Sequence, residues 1–321
     1  MTSILKLKSP VKDYIWGGNR LIHEFGMESD KDILAEAWTL SCHPDGASLI
    51  TGGEYNNLTL PQYIEKAGTK VLGTNYERFS DFPILVKLID AKDDLSIQVH
   101  PNNEYAMKHE NQYGKTEMWY VVDCAEDAYL YYGVNRDIDK EEFRKRIEEN
   151  TLLEILNKVA IKKGDVFFIE SGTIHAICKN TLIAEIQQNS NVTYRVYDYG
   201  RAGTDGKTRE LHIDKAIDVS NLKASRGEIT HGAHIATCEY FTVDKLNLDG
   251  KYMKKICGNV DEKSFLNVLV ICGEGELRAN EQFGRFGQCE KFKKGDSFFI
   301  SAGVGEYEIS GNGEFLLTYI L

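Results

Sequence analysis

Histidine, carboxylate and amide side chains stand at three points of the sequence where they could bind a metal ion together. Gln98 and His100 alternate along an apolar run that ends at Pro101, so their side chains share one face of a strand. Glu117 begins the next apolar run, and His175 follows the turn glycine of a later one. Two imidazoles, a carboxylate and an amide oxygen suit Zn²⁺, and also Mn²⁺, Fe²⁺, Co²⁺ or Ni²⁺.

A second group of chemically interesting residues lies between positions 185 and 201. Alternation places Thr193, Arg195, Tyr197 and Tyr199 on one face of a strand, and Glu185 precedes Arg195 by ten residues. An arginine among aromatic side chains is either a partner in a structural ion pair or a clamp for an anion. The residues alone leave both interpretations open.

Short β-strands must position these residues, because apolar and β-branched runs alternate with Gly, Asn and Asp over most of the chain. This spacing predicts an all-β fold, either a sandwich or a barrel. The predicted strands cover residues 82–89, 95–100, 118–122, 166–169, 182–186, 192–197, 267–272, 297–300 and 314–320.

Helix signals are few. Thr59 and Gln62 form a capping box at the start of one predicted helix, with a proline in its first turn. Two further capping boxes, at 139–142 and 151–154, predict two successive short helices over residues 139–158. A last helix is predicted at Ile213–Val219.

An internal repeat divides the chain. Residues 162–172 and 293–303 are identical at eight of eleven positions, and each copy follows a predicted strand pair. The Gly-Asp turn and aromatic strand resemble the second motif of the cupin superfamily of small jelly-roll barrels. The same offset carries His175 onto Glu306, so we expect one metal-binding barrel within residues 1–234 and one degenerate barrel at 235–321. A small helical insertion is expected at about 137–158.

Charge and cysteine usage exclude several classes of protein. The 38 basic residues are outnumbered by 49 acidic ones, which disfavours binding to nucleic acid or to an anionic membrane. The seven cysteines form no Cys-x-x-Cys pair, which favours reduced thiols and a cytoplasmic location. No apolar run approaches the length of a membrane span.

Several separated motifs, taken together and in order, resemble the type I phosphomannose isomerases of the short bacterial form. The motifs are Tyr14-Ile-Trp-Gly-Gly18, Ser96-Ile-Gln98-Val-His100-Pro101, Gly114-Lys115-Thr-Glu117, the stretch from Gly164 to His175, and Tyr194-Arg195-Val-Tyr-Asp-Tyr-Gly-Arg201. The resemblance implies a double cupin with one Zn²⁺ per chain. It also implies an aldose–ketose isomerase that interconverts mannose 6-phosphate and fructose 6-phosphate through an enediolate.

Carried onto this sequence, the resemblance implies a role for each candidate residue. The zinc ligands would be His100, Glu117 and His175, with Gln98 as a further ligand or close neighbour. Arg195 and Lys115 would be active-site cations, and Glu185 would take part in proton transfer. The candidates for holding the phosphate are Lys87, Ser96, Lys115, Arg195 and Arg201.

The sequence departs from the longer family members in two respects. They carry Asn-His-Lys-Pro-Glu where this chain has Tyr113-Gly-Lys-Thr-Glu117, and their large helical domain shrinks here to the short insertion. We expect a monomer or a weak homo-oligomer that acts on a small sugar phosphate. An Fe²⁺-dependent cupin oxygenase and a non-catalytic sugar-phosphate-binding cupin remain as alternatives.

Overall fold

The computed structural model describes residues 3–202, 206–225, 227, 229–282 and 285–321. No helix in these ranges is both long enough and apolar enough to cross a membrane. The strands are β1 Ile4–Lys8, β2 Val11–Lys12, β3 Glu36–Leu40, β4 Leu49–Thr51, β5 Ile84–Ala91, β6 Ile97–Val99, β7 Glu117–Cys124, β8 Tyr129–Val134, β9 Leu156–Ala160, β10 Val166–Ile169, β11 His175–Ile177, β12 Thr181–Gln188, β13 Tyr194–Tyr197, β14 Ile229–Thr230, β15 His234–Thr237, β16 Thr242–Leu248, β17 Lys255–Val260, β18 Leu266–Gln282, β19 Arg285–Lys293, β20 Ser297–Ile300 and β21 Gly305–Tyr319. The α-helices are α1 Arg20–His23, α2 Leu60–Ala67, α3 Asn103–Glu110, α4 Lys140–Glu148 and α5 Ile213–Val219, and 3₁₀ turns cover Thr69–Leu72, Thr74–Arg78 and Leu152–Ile155.

Within the described ranges the strands form three sheets with antiparallel ladders. The central sheet has the order β14-β10-β7-β12-β5-β3-β2, and the outer sheet has the order β13-β6-β11-β8-β9. The C-terminal sheet runs β15-β16-β21-β18-β20-β1-β4, with β17 paired to β21 and β19 paired to β18. The N-terminal strand β1 therefore lies between strands of the C-terminal sheet and β4.

The two faces of the central sheet pack against different partners, as the period-two alternation of a strand requires. Val86 and Leu88 of β5 face a core shared with Leu269 and Phe299 of the C-terminal sheet. Ile89 belongs instead to a cluster with side chains of the outer sheet. Polar residues that alternate with Val86 and Leu88 along β5 therefore point into the gap between the central and outer sheets.

Helices cover the far face of the outer sheet. Phe143 and Ile147 of α4 and Ile217 of α5 pack against Val99 and Val196. Their apolar spacing is that of an amphipathic helix, while the opposite face of α4 carries charged side chains. The outer sheet is thereby held between the helices and the central sheet.

The repeated segment adopts the same turn twice. Asp165 accepts a hydrogen bond of 2.9 Å from the backbone N–H of Lys162, and Asp296 accepts one of 2.9 Å from that of Lys293. Both turns place a glycine at a φ of 90°, a left-handed conformation that favours glycine. Glu306, the counterpart of His175, is exposed.

The helical stretch is shorter than the sequence predicts. α4 and one 3₁₀ turn account for residues 140–155, but β9 begins at Leu156 and pairs with β8. The cross-strand ladder overrides the local helix signal there. The capping box at Thr59 and the helix at Ile213–Val219 are confirmed, whereas α3, capped by Asn102, was not predicted.

An aromatic stack joins the two halves of the chain. Phe265 lies with its ring centroid 5.2 Å from that of Phe82 and 5.1 Å from that of Phe299. Tyr63 of α2 approaches Phe299 from the side, at 6.3 Å between centroids. Aromatic pairs at these distances stabilise a core beyond the area that they bury.

Phe265→Ala should therefore lower the free energy of unfolding of the whole chain by about 3–5 kcal/mol, because it opens a cavity in the shared core. Tyr252→Ala is the matched control, since that ring is 84% exposed. Chemical denaturation followed by tryptophan fluorescence measures both. A loss as small in the Phe265 variant as in the control would contradict a single shared core.

Candidate active site

Two histidines and a glutamate meet in the gap between the central and outer sheets. The candidate ligand atoms of His100, Glu117 and His175 all lie within 4.8 Å of one another, and all three residues are buried. Oε1 of Glu117 is 3.4 Å from Nε2 of His175, and Oε2 is 3.6 Å from Nε2 of His100. It is the one group of this kind in the described part of the chain.

Backbone carbonyls fix the tautomers of both imidazoles. Nδ1 of His100 lies 2.8 Å from the carbonyl oxygen of Val192, and Nδ1 of His175 lies 2.9 Å from that of Thr173. A carbonyl only accepts, so each Nδ1 carries the proton and each Nε2 offers a lone pair toward Glu117. Burial, followed by the charge of Lys115, lowers the pKa of both histidines, that of His175 to about 4.

The carboxylate of Glu117 is fully buried; its Oε2 lies 2.5 Å from Nζ of Lys115, and its Oε1 accepts no hydrogen bond from the described residues. Burial raises its pKa to about 7, the charge of Glu185 adds to this, and Lys115 opposes it. A buried carboxylate with so few donors, beside two neutral imidazoles, is a donor set that a divalent cation satisfies. Gln98 lies beside this donor set, with its amide nitrogen 3.5 Å from Nε2 of His175.

A row of alternating charges extends from this cluster across the central sheet. We call the residues Glu117, Lys115, Glu185, Lys87 and Glu36 the charged row. Successive nitrogen–oxygen distances along it are 2.5, 3.7, 3.3 and 3.6 Å. Each of the five residues is less than a tenth exposed.

The strand register places these side chains together. Glu185 of β12 lies opposite Lys87 of β5 on one side and opposite Trp119 of β7 on the other. Trp38 of β3 lies opposite Lys87, and Glu36 is two residues away on the same face. Lys87 therefore has a carboxylate partner on each neighbouring strand, Glu185 on β12 and Glu36 on β3. Lys115 lies just before β7 and contacts both Glu117 and Glu185.

Opposing influences set the ionisation of the two middle members. Burial alone would raise the pKa of Glu185, but Lys115, Lys87 and the indole N–H of Trp119 lower it to about 2. Burial alone would lower the pKa of Lys87, but Glu36 and Glu185 raise it above its ordinary value. Both groups are consequently charged at neutral pH.

A cavity of about 310 Å³ opens over the charged row. Of the residues predicted from the sequence, Lys87, Ser96, Gln98, Lys115, Glu185 and Arg195 line it. The other lining residues are Tyr14, Trp16, Glu36, Ile89, Leu95, Ile177, Asn191, Thr193 and Arg209. Its volume and polarity suit a small charged molecule.

Arg195 faces this cavity without a carboxylate partner in the described structure. Its Nε donates to the hydroxyl of Ser96 at 3.1 Å, and its Nη1 donates to the backbone carbonyl of Glu210 at 3.1 Å. Burial lowers the pKa of Arg195, and the nearby charge of Arg209 lowers it further. Two guanidinium groups gathered at one wall favour the anion-clamp interpretation over the structural ion pair.

Arg201 does not line the cavity. It pairs with Asp198 at 2.6 Å and donates to the backbone carbonyl of Asp94. Arg209, which the sequence analysis missed, binds both oxygens of the same Asp198, at 2.7 and 2.6 Å, and lines the cavity. The sequence signal for Arg209 was weak. It follows the motif that ends at Arg201, and its partner Asp198 lies eleven positions earlier in the chain.

Glu36 and Trp38 were also missed. They stand two apart in an apolar run, a pattern that places both on one strand face, but nothing local distinguishes that face as a site. Tyr14 and Trp16 entered only through the family motif. All four lie at the cavity or beside a residue that lines it.

A larger cavity of about 650 Å³ lies elsewhere, lined by apolar and uncharged polar side chains, by His43, and by Asp45, Glu65 and Asp81. No lysine or arginine of the described residues lines it. Acidic side chains without cations repel an anion. The smaller cavity over the charged row is therefore the candidate site for a phosphorylated ligand.

Comparison with known proteins agrees with this geometry. Residues 4–128 match the family model for the phosphomannose isomerase type I catalytic domain, and residues 231–320 match that for the mannose-6-phosphate isomerase cupin domain. Mannose-6-phosphate isomerase ManA of Bacillus subtilis is 38% identical over 99% of both chains. A mannose-6-phosphate isomerase of Streptococcus mutans is 34% identical, also over 99% of both.

Solved structures give the same result. The crystal structure of mannose 6-phosphate isomerase from Bacillus subtilis covers 98% of this chain and 99% of its own, with a TM-score of 0.87 and 34% identity. This similarity and the cupin-domain match confirm the predicted all-β cupin fold. With two domain matches in order and full-length relatives, the chain belongs to the type I phosphomannose isomerase family.

Proposed function

We propose that this chain is a zinc-dependent isomerase that interconverts mannose 6-phosphate and fructose 6-phosphate through an enediolate. The observation that carries the proposal is the junction of a buried His-Glu-His donor set with a cavity lined by arginine and lysine side chains. The first part suits a metal, and the second suits a phosphorylated sugar. The named activity of the full-length relatives supports the same substrate.

His100, Glu117 and His175 would hold the Zn²⁺, with Gln98 at its edge. When bound, the ion would supply a Lewis acid that polarises the substrate carbonyl. One donor group in the described residues supports one ion per chain. Seven free cysteines are compatible with the reducing cytoplasm, where we place the enzyme.

Glu185 is the candidate base that takes the proton from carbon 2 and returns it to carbon 1. Its Oε2 accepts the indole N–H of Trp119 at 2.9 Å, while Oε1 accepts no hydrogen bond from the described residues. Oε1 faces Lys87 and Lys115. The two ammonium groups keep this carboxylate ionised and lie where they can bind the substrate oxygens.

Arg195 and Arg209 would hold the negative charge of the substrate from the outer wall. Arg195 also lies opposite Gln98 in the strand register, which places it next to the donor set. A cation at that position stabilises the charge that develops on the enediolate. Arg209 is oriented by both oxygens of Asp198, and we assign the phosphate contact to it.

The direct test is turnover of mannose 6-phosphate by the purified chain, followed by nuclear magnetic resonance. We expect fructose 6-phosphate to appear, turnover to stop after treatment with 1,10-phenanthroline, and Zn²⁺ to restore it. Oxygen uptake without isomerisation would instead support the oxygenase. Tight binding of the sugar phosphate without turnover would support the non-catalytic alternative.

His175→Ala should lose the metal as well as the activity, because the imidazole of His100 and the carboxylate of Glu117 alone hold a divalent cation poorly. His23→Ala is the matched control, since His23 is exposed and distant from the cluster in sequence. Elemental analysis of both variants after gel filtration measures the metal content. A stoichiometric ion retained in the His175 variant would refute the ligand assignment.

Substitution of the arginines should separate their roles. Arg195→Ala should lower kcat by about 10²–10³-fold, the effect of removing one donor to a developing charge. Arg209→Ala should mainly raise KM, because a phosphate contact is made in the ground state and the transition state alike.

Arg136→Ala is the control for both, since Arg136 pairs only with Glu142 among the described carboxylates. Steady-state kinetics and zinc content are measured for all three, and we expect the zinc content to be unchanged. Wild-type kcat and KM in the Arg195 variant would remove that residue from the site.

A further inference from the structure

Glu36 is a carboxylate in a cavity that otherwise gathers cations for an anionic ligand. Its side chain is 11% exposed, and the residue lines the cavity. Oε2 accepts the indole N–H of Trp38 at 2.7 Å and lies 3.6 Å from Nζ of Lys87. No described residue donates a hydrogen bond to Oε1.

A carboxylate at this position works against binding of the phosphate, because like charges repel. It is also not alone in keeping Lys87 charged, since Glu185 lies 3.3 Å from that ammonium. One oxygen of this carboxylate is held, and the other is free to accept a hydrogen bond. We therefore expect it to contact a part of the ligand other than the phosphate. Uncharged hydroxyl groups are the donors that a sugar offers to a carboxylate.

The strand order shows which part of the sugar Glu36 can reach. Glu117 stands on β7 and Glu36 on β3, and two strands, β12 and β5, lie between them. At the usual spacing of neighbouring strands, the backbones of β7 and β3 are about 14 Å apart. Glu36 therefore stands apart from the donor set, and it faces the part of the sugar that lies beyond the two reacting carbons.

Tyr14 lines the same cavity. Burial raises the pKa of its phenol, and the charge of Glu36 raises it further. Arg195 belongs to β13 of the outer sheet, on the opposite wall. A ligand that spans the cavity thus meets the guanidinium of Arg195 on one wall, and on the other the carboxylate of Glu36 beside the ammonium of Lys87.

We propose that Glu36 determines specificity for the sugar: Oε1 accepts a hydrogen bond from the hydroxyl on carbon 3 or carbon 4 of the sugar phosphate. The proposal rests on the proposed function, since it names the contact that distinguishes a sugar phosphate from other phosphates. Trp38 and Lys87 hold Oε2 and so aim Oε1 at the ligand. The indole of Trp38 is a donor only, which fixes the orientation of any amide placed there.

Glu36→Gln tests this contact with little change of shape. The indole N–H of Trp38 requires an acceptor, so the new amide must turn its oxygen toward Trp38 and its NH₂ toward the cavity. An acceptor for the sugar hydroxyl is thereby replaced by a donor. Glu54→Gln, at an exposed position, is the matched control.

The measurement is kcat/KM for mannose 6-phosphate and for its 3-deoxy and 4-deoxy analogues, together with the inhibition constant of inorganic phosphate. We expect the wild type to disfavour one analogue by about 10²-fold or more, because the lost hydroxyl leaves a buried acceptor unpaired. In the Glu36→Gln variant this preference should nearly vanish. Inhibition by inorganic phosphate should stay at the wild-type level or become slightly tighter.

A Glu36→Gln enzyme that keeps the wild-type preference against both analogues would overturn the proposal. So would a wild type that accepts both analogues as well as mannose 6-phosphate. If inorganic phosphate no longer inhibits the variant, Glu36→Asp replaces it, and the same loss of preference is expected. If the wild type isomerises none of the sugars, the proposed function fails, and the preference is then read from dissociation constants by calorimetry.

Discussion

The candidate site depends on a row of buried charges, each of which is stabilised by an opposite charge beside it. Glu36, Glu117 and Glu185 share the interior with the ammonium groups of Lys87 and Lys115, and neighbouring members lie within 3.7 Å. With all five members ionised, three carboxylates outnumber two ammonium groups, so the row carries one negative charge in excess; both nearby imidazoles are neutral. A divalent cation on the donor set would reverse that sign. It would turn an acidic interior into a site for an anion, although the chain has a net charge of −11.

The two-sided central sheet makes this arrangement possible. One face of β5, β7 and β12 is apolar and packs on the C-terminal sheet, while the other carries the charged row. Because alternate residues of one strand serve both faces, the C-terminal sheet can support the site without contributing a donor. The repeated turn has the same hydrogen bond in both copies, and Glu306 stands where the first copy has His175.

Patterns within short stretches of the sequence predicted much of the candidate site. Residues positioned by tertiary packing could not be predicted in this way. Gln98, His100 and His175 were found because strand periodicity and a repeated turn place them, and the structure brings them together with Glu117. Glu36 was missed because its partner Lys87 lies far along the chain, and Arg209 because no strand or helix periodicity links it to Asp198. The register between β3 and β5 and the path of the chain after β13 follow from tertiary packing, which sequence periodicity does not encode.

Anomalous diffraction at the zinc absorption edge, from crystals of the wild-type protein grown with one equivalent of Zn²⁺, tests the central claim most directly. The account predicts a single strong peak bounded by the two Nε2 atoms and the carboxylate of Glu117. It predicts none in the C-terminal barrel, where no described group of donors stands. A principal peak anywhere else in the molecule, or a second peak of equal strength near Glu306, would contradict it.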